Sequence, residues 1–398
     1  MMTRSSFLLL CLSTTPALAG GLSLYETGPQ NMGLANAGAA ARAQDASTLA
    51  SNPAGMSRLE GTQIQVNGGW VQGHLEAADG GNAVQTAPLG SLYLTHEFDE
   101  RWHGGVGLFG SHGLGLEYAP NWQGRYQSQE GTLTGIMATA ALSYRIDEQW
   151  SVGASLLASH GTVEAAKAVR RLHGDDRQLT YEEGDWAYGY MLGVLYEPSQ
   201  TSRLGLSYTS ELEWSLQGEA SLTPSSPWQP DRGLNQLGVT LAMPQTLTLS
   251  LYQQVNDRWA LLASTNWQQW SRFGEVDVAL LNGRVQQTRD LNYKDTWHLS
   301  LGTQFQATEA LQLSTGIAYD SSPVEDADRS AALPLSAAWR LGLGADYRLT
   351  PTTRLSAGYT LVWLGDLPLD LSGPNGELHT RYDNSRLHFV NIGINHQF

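Results

Sequence analysis

The feature that most constrains this chain is a two-residue alternation of apolar with small or polar side chains, repeated along most of its length. In the stretch 355–363 (LSAGYTLVW) the odd positions are apolar and the even positions are mostly small. Successive side chains of a β-strand point to opposite faces, so this pattern predicts strands with two chemically different faces. The same alternation recurs at 136–146, 247–251, 297–305 and 311–319.

Fourteen such strands can be drawn along the chain. Most span about ten residues or more, which is the length that a tilted strand needs to cross a bilayer. An even number of long two-faced strands is typical of a transmembrane β-barrel. The predicted strands are 62–77, 85–98, 102–116, 131–146, 149–165, 186–198, 203–219, 244–256, 258–271, 288–306, 310–320, 336–349, 353–366 and 385–398.

The connections between these strands alternate in length. Short turns fall at 99–101, 147–149, 199–202, 256–257, 307–309 and 350–352, and the long connections fall at 78–84, 117–130, 166–185, 220–243, 272–287, 321–335 and 367–384. Short periplasmic turns opposite long extracellular loops are the asymmetry of an outer-membrane barrel. Trp102, Trp150 and Trp259 each follow a short turn, where an aromatic girdle would meet the membrane interface.

The first residues predict export. Arg4 precedes the apolar run 7–12 (FLLLCL), and 17–19 (ALA) has the form of a cleavage site, so residues 1–19 are expected to be a signal peptide. The only cysteine, Cys11, lies within it, so we expect a mature chain without disulfides or a thiolate site. That mature chain has 22 Lys and Arg against 38 Asp and Glu, a net charge of −16, which argues against nucleic acid as a partner.

Residues 20–61 do not follow the strand pattern and are rich in Ala, Gly, Asn and Ser. A fourteen-stranded barrel encloses a lumen too wide for the wall side chains alone to fill. Residues 20–61 are the part of the chain that remains to occupy it. The predicted fold is therefore an all-β, 14-stranded antiparallel transmembrane β-barrel with an N-terminal hatch inside the lumen. The predicted organisation is 1–19 signal peptide, 20–61 hatch and 62–398 barrel.

Several motifs stand in order over nearly the whole mature chain. They are 52–54 (NPA), 113–118 with 122–126 (WQGRY), 185–190 (DWAYGY), 243–245 (MPQ) with 267–271, 293–296 (YKDT) and 316–324 (GIAYDSSPV). Taken together, the chain resembles the FadL family of outer-membrane transporters of long-chain fatty acids and other hydrophobic compounds. It departs from the family at His112, in the second half of 117–130 and in 166–185.

The resemblance implies capture of a hydrophobic substrate among the extracellular loops, with 166–185 and 220–243 as candidates. It also implies transfer to a lumen site near the N-terminus and lateral exit into the bilayer beside a kink in the third strand. A hatch gate at Asn52, Pro53 and Ala54 follows from the same resemblance. The third strand supplies candidate kink residues, although glycine there also serves to avoid crowding on a lumen-facing wall. These residues are Gly104, Gly105, Gly107 and Gly110.

Strand phase places Arg340 and His298 on the lumen side. A lumen arginine can bind a carboxylate headgroup through two hydrogen bonds, and an internal ion pair with an acid such as Asp346 is the alternative. Leu22 and Leu24 are predicted to contact substrate, or else to pack as ordinary parts of the hatch. Trp186 and Tyr188 line a passage in one interpretation and belong to an aromatic girdle in the other.

We expect passive uptake of long-chain fatty acids or similar hydrophobic molecules in the outer membrane of a Gram-negative bacterium. No cofactor or metal site is predicted, because histidines are scattered and neither G-x-S-x-G nor H-E-x-x-H occurs. The alternatives are a general diffusion porin and a lipid-modifying enzyme. Expected partners are the hydrophobic substrate, outer-membrane lipid and lipopolysaccharide, and the assembly machinery through the C-terminal strand, which ends in Phe398. A monomer is expected.

Overall fold

The structure is a computed structural model, and it describes residues 22–77, 80–171, 175–223, 232–280, 285–373 and 376–398. The predicted signal peptide, residues 1–19, lies outside the described residues. Residues 224–231, within the long connection 220–243, also lie outside them.

Fourteen wall strands form a single antiparallel sheet in the described residues, and four of them are interrupted. The uninterrupted strands are β1 (Thr62–His74), β2 (Ala87–Glu97), β3 (Trp102–Glu117), β4 (Glu130–Arg145), β5 (Trp150–Val169), β6 (Arg177–Ser199), β11 (Leu311–Asp320), β12 (Ala338–Thr350), β13 (Thr353–Gly373) and β14 (Gly376–Gln397). The interrupted strands are β7 (Ser202–Thr209 and Leu212–Leu222), β8 (Arg232–Met243 and Thr246–Gln254), β9 (Trp259–Gln268 and Glu275–Leu280) and β10 (Val285–Asp290 and Thr296–Gln306).

The sheet closes on itself. Strand β1 pairs with β2 on one side and with the last strand, β14, on the other, where Gln63 lies opposite Gln397. Closure satisfies the backbone hydrogen bonds that an open sheet edge would leave exposed to lipid. The prediction of a 14-stranded antiparallel barrel is therefore confirmed.

One end of the barrel carries the short turns. The Asp99 carboxylate accepts hydrogen bonds from the backbone N–H groups of Arg101 and Trp102, both at 2.8 Å, and these bonds lower the pKa of Asp99. Asp147 makes the same two bonds in the next short turn, to Gln149 and Trp150. A side chain that accepts hydrogen bonds from two backbone N–H groups stabilises a turn of only a few residues.

The other end differs from the prediction. The segments 166–185, 220–243 and 367–384 are not loops throughout, because strands β5 to β8 and β13 to β14 continue into them. The pairing of β5 with β6 includes Lys167 opposite Leu179, and the pairing of β13 with β14 continues to Gly373 opposite Gly376. Strands that pass beyond a membrane have no lipid-facing side, so the two-residue alternation that predicts a strand weakens there.

The outer face of the barrel is apolar. The three tryptophans that follow short turns contact aromatic residues of the neighbouring strand, with ring centroids 4.3–4.7 Å apart. Each of these tryptophans is 42–43% exposed. The pairs are Trp150 with Tyr196, whose rings are stacked, and Trp102 with Tyr144 and Trp259 with Phe305, whose rings are tilted.

The helices are short. None in the described part of the chain has the length and apolar character needed to cross a membrane. The α-helices are α1 (Pro29–Gly33) and α2 (Trp270–Gly274), and the 3-10 helices are Ala46–Ala50, Pro53–Arg58, Gln123–Tyr126 and Asp326–Asp328.

Residues 22–60, here called the N-terminal segment, lie inside the barrel and are mostly buried. Wall glycines make room for its backbone. A Cβ atom added at Gly153 on β5 would lie 2.5 Å from the backbone nitrogen of Ala54 and 2.6 Å from the carbonyl carbon of Pro53. Only glycine fits where two backbones approach so closely.

Candidate functional site

Asn52 fixes the N-terminal segment to the wall. Its amide nitrogen donates to the carbonyl oxygen of Ala40 at 2.7 Å and to that of Val194 on β6 at 3.0 Å. Its side-chain oxygen accepts from the backbone N–H of Ala54 at 3.0 Å, which begins the 3-10 helix Pro53–Arg58. One buried asparagine therefore joins two parts of the segment and one wall strand.

A charged cluster joins the start of the same segment to the opposite wall. Arg340 on β12 donates from Nε to Asp320 at 2.6 Å and from Nη1 to Glu26 at 2.7 Å. His298 on β10 lies with Nδ1 2.6 Å from the other oxygen of Asp320. Arg340, Asp320 and Glu26 are all at least 94% buried. We call Tyr25, Glu26, His298, Asp320 and Arg340 the arginine cluster.

The strand-phase prediction placed Arg340 and His298 in the lumen, where both lie. Arg340 forms the internal ion pair that was the alternative to substrate binding, but its acidic partners are Asp320 and Glu26 and not Asp346. Asp346 instead accepts hydrogen bonds from Gln30 and Ser356. The assignment of Arg340 and His298 as substrate-binding residues stays a prediction.

Three atoms of the arginine cluster are buried without a hydrogen-bond partner in the described part of the chain. They are Tyr25 Oη, Glu26 Oε2 and His298 Nε2. The Tyr25 ring lies 4.4 Å from the His298 ring between centroids, and the Arg340 guanidinium lies 4.9 Å from the Tyr25 centroid. Burying a polar atom without a partner costs free energy. These three atoms can therefore form hydrogen bonds with a ligand or with water.

The pairing between β2 and β3 covers only part of β3. Their pairing runs from Glu97 opposite His103 to Ser91 opposite Phe109 and ends there. Beyond that point β3 contains a bulge in its pairing with β4, between Gly110 and His112. A bulge bends a strand and increases its local twist, which separates it from a neighbour.

The N-terminal segment takes the vacant edge of β3. Ser23 pairs with His112, the Leu24 backbone N–H donates to Ser111 oxygen at 2.9 Å, and the Gly113 N–H donates to Leu22 oxygen at 3.2 Å. We call Leu22–Leu24 the closing strand, since it fills ladder positions that β2 leaves empty.

The predicted kink residues are corrected by this geometry. Gly104, Gly105 and Gly107 lie in regular pairing, and the irregularity lies at Ser111, next to Gly110. A Cβ atom on Gly105 would lie 2.5 Å from the Leu49 side chain of the N-terminal segment. Avoidance of crowding therefore accounts for Gly105, while Gly110 adjoins the bulge.

Trp214 was missed by the sequence analysis. It is fully buried on β7 and meets the His112 ring edge-on at 5.8 Å, behind the bulge. The apolar lining around it comes from β7, β8 and α2. It includes Leu212, Leu216, Leu237, Leu241, Met243, Trp270 and Phe273.

Trp186 and Tyr188 point away from the lumen, with 52% and 74% of their surface exposed. Their proposed place along an internal passage was wrong, because β6 turns even-numbered side chains outward here while Ala187 is buried. The girdle interpretation fits their position.

The two ends of the lumen differ in polarity. At the long-loop end, residues 321–337 pack across the opening, and the buried Arg329 holds them by donating to the oxygens of Leu335 and Pro368 at 2.7 and 2.6 Å. At the short-turn end lies a cavity of about 340 Å³ whose lining includes Arg58, Arg348 and Arg354. An apolar molecule would find a polar outlet at that end.

Comparison with known proteins gives consistent results. The model of the family described as outer membrane protein transport protein (OMPP1/FadL/TodX) matches residues 10–386. The 47 kDa outer membrane protein of Pasteurella multocida is 27% identical, with 86% of this chain and 87% of that protein aligned. The long-chain fatty acid transport protein of Escherichia coli is 23% identical over 87% of each chain. The crystal structure of a Pseudomonas aeruginosa FadL homologue superposes with a TM-score of 0.84 at 21% identity, covering 95% of this chain and all of the other.

Proposed function

The chain belongs to the OMPP1/FadL/TodX family of outer membrane transport proteins, and we propose that it takes up long-chain fatty acids or similar hydrophobic molecules passively. Substrate is captured at the extracellular loops, including 166–185 and 220–243, and moves to a lumen site at the arginine cluster and the apolar lining around Trp214. It then leaves sideways, into the bilayer, between β2 and β3. A transport family gives no support to the alternative of a lipid-modifying enzyme.

The observation that carries this proposal is the closing strand. A gap in the wall at the β3 bulge is filled by three residues that belong to no wall strand. Leu22 is 98% buried and Leu24 packs over Gly110 and Gly113. Withdrawal of this strand would join the apolar lining to the bilayer, whereas the short-turn end offers a polar outlet.

The test is a disulfide that holds the closing strand in place. Ser23 and His112 form a non-hydrogen-bonded pair, since the flanking residues make the two ladder bonds. Such pairs bring Cα atoms to about 4.5 Å, within the range that a disulfide spans. Cells carrying Ser23→Cys with His112→Cys should lose oleate uptake under oxidising conditions and regain it with reductant.

The matched control places the disulfide in a continuous part of the wall. Thr134 and Thr162 face each other across β4 and β5, with their hydroxyls in contact. Cells carrying Thr134→Cys with Thr162→Cys should take up oleate at the normal rate under both conditions. Normal uptake by the oxidised Ser23–His112 pair would rule out exit past the closing strand.

The Asn52-Pro53-Ala54 turn serves as the hatch gate in this proposal. Deleting residues 20–25, or disordering the turn, should impair oleate uptake without preventing barrel assembly. Growth of a deletion strain on fatty acid, alkane or aromatic compound as sole carbon source distinguishes the substrate classes. Normal oleate uptake by both variants would contradict the role of the hatch.

The remaining assignments complete the proposal. Residues 1–19 act as the signal peptide, 20–61 as the hatch and 62–398 as the barrel. The apolar outer face contacts outer-membrane lipid and lipopolysaccharide, and β14 engages the assembly machinery. The protein acts as a monomer. Support comes from the exposed apolar side chains around the wall and from the burial of the N-terminal segment within it.

A further inference from the structure

Arg340 holds two carboxylates of different origin. Asp320 lies on β11, and the ladder between β11 and β12 fixes it, with Asp320 opposite Ala338. Glu26 belongs to the N-terminal segment and reaches the same guanidinium from inside the lumen, at 2.7 Å. One partner is therefore part of the wall, and the other is attached to the segment that fills the lumen.

The two carboxylates are bound unequally. Both oxygens of Asp320 have partners, His298 and Arg340. Glu26 uses one oxygen, and its Oε2 is buried without a partner in the described part of the chain. Burial raises the pKa of Glu26, although Arg340 opposes this effect. Glu26 is thus the partner that a competing carboxylate can replace at lower cost.

The cluster also has donors for a second ligand. Tyr25 Oη is buried without a partner beside the guanidinium, and its hydroxyl can donate to an anionic oxygen. The apolar lining is connected to this place: Ser23 accepts a hydrogen bond from Gln268, whose side-chain oxygen accepts from the Trp270 indole. A carboxylate headgroup bound at Arg340 would therefore have the apolar lining nearby for its hydrocarbon chain.

We propose that Glu26 is a resident carboxylate that occupies the headgroup position on Arg340, and that an incoming carboxylate amphiphile exchanges with it. The exchange selects molecules with a carboxylate head over uncharged hydrophobic molecules of the same length. This inference rests on the proposed uptake function and narrows its substrates to molecules that carry a carboxylate head.

Exchange also explains how binding opens the wall. Glu26 lies two residues after Leu24, whose backbone N–H holds the closing strand to Ser111 at 2.9 Å. When Glu26 leaves Arg340, the segment that carries the closing strand loses its charged anchor to β12. Binding of a headgroup to Arg340 on β12 thereby releases the closing strand from β3, which lies in a different part of the wall.

The experiment compares oleate with oleyl alcohol, which has the same chain and no charge. Binding of each is measured on the full-length protein purified from outer membranes, as wild type and as Glu26→Gln. The substitution keeps the size of the side chain and removes its charge, which frees Arg340. Oleate should bind about tenfold more tightly to Glu26→Gln, since a charge-assisted competitor is lost, and oleyl alcohol should change less than about twofold.

The matched control is Asp346→Asn. Asp346 is a half-buried lumen acid that accepts a hydrogen bond from the N-terminal segment, through Gln30 at 3.0 Å, and it lies on the same strand as Arg340. Its substitution loosens the segment without freeing Arg340. Oleate affinity should stay within about twofold of wild type.

A second readout follows the closing strand directly. Ser23→Cys is labelled with a soluble maleimide, and oleate should increase the labelling rate while oleyl alcohol leaves it unchanged. An equal gain in affinity for both ligands on Glu26→Gln, or no gain in affinity for oleate, would contradict the exchange. Neither result would affect uptake by the wild-type protein. If wild-type protein bound neither ligand, the proposed function itself would fail, and this inference with it.

Discussion

At the residue scale, strand phase identified which side of the wall a residue faces but not its height in the lumen. Arg340 was expected inside, and it is 95% buried there. Asp320 reaches Arg340 from the neighbouring strand, because the register between β11 and β12 sets Ala318, two residues before Asp320, opposite Arg340. Asp346 lies six residues after Arg340 on β12 itself, roughly 20 Å along the strand, and is out of reach. Register depends on pairing between strands, so no pattern within one strand reveals it.

A glycine at a close backbone approach provides a residue-scale test. Gly153→Ala would place a Cβ atom 2.5 Å from the backbone nitrogen of Ala54, and neither backbone can yield without moving the turn at Asn52-Pro53-Ala54. We expect the free energy of unfolding, measured in urea with the barrel in lipid vesicles, to fall by about 1–3 kcal/mol.

Gly68 on β1 is the matched control, because an added Cβ atom would meet nothing within 4 Å. Gly68→Ala should leave the free energy of unfolding within about 0.5 kcal/mol of wild type. An equal loss in both variants would mean that the alanine disturbs the strand itself and not its contact with the N-terminal segment.

At the element scale, interruptions decide which face of a strand is inside. On β7, Leu204 and Leu206 are exposed, whereas Trp214 and Leu216 are fully buried, although all four have even numbers. The break after Thr209 reverses the orientation of the strand. On β8 the same reversal separates the buried Leu241 from the exposed Leu247, at Pro244. The apolar lining of the lumen is a product of these two reversals.

The reversal predicts that Trp186 and Trp214, both at even-numbered positions, lie in different surroundings. Trp186 faces the outside of the barrel, and Trp214 is buried in the lumen. In vesicles of brominated lipid, Trp186→Phe should reduce the fraction of tryptophan fluorescence quenched by the acyl chains. Trp214→Phe should raise that fraction slightly, because an unquenched tryptophan is removed. The reverse result would place Trp214 in lipid.

The bulge in β3 gives a second prediction at this scale. Deleting Ser111 restores one-to-one pairing with β4, so β3 should straighten and close against β2. Oleate uptake by cells should fall at least about tenfold, while the affinity of the purified protein for oleate changes little, because the lumen site is intact. Unchanged uptake with unchanged affinity would contradict lateral exit at the bulge.

At the scale of the whole molecule, the fourteen-stranded wall and the N-terminal segment form one structure. Asn52, Arg340 and the wall glycines connect the segment to β5, β6 and β12. Residues 321–337 pack across the long-loop end, where Tyr118 donates to Ala331 oxygen at 2.7 Å. Chain therefore occupies the lumen beside β5, β6 and β12 and at the long-loop end, and we do not expect an open aqueous channel.

Filling of the lumen predicts low ion conductance. The purified protein in a planar bilayer should give no large single-channel steps, whereas a variant with residues 22–60 replaced by a short Gly-Ser linker should give them, since about fourteen strands enclose a wide lumen. Heat-dependent mobility in gel electrophoresis confirms that the variant is a folded barrel. Large steps from the wild-type protein would favour the general diffusion porin.

The sequence by itself determined the barrel, its strand number and the burial of Arg340, because each follows from a local two-residue alternation. The tertiary structure alone decided that Asp320 and Glu26 share Arg340, that Trp214 turns inward and that Leu22–Leu24 completes the wall beside β3. These features depend on register, on strand reversals at two breaks and on contacts between residues far apart in the chain. Such contacts form only when the sheet closes, so no local pattern records them.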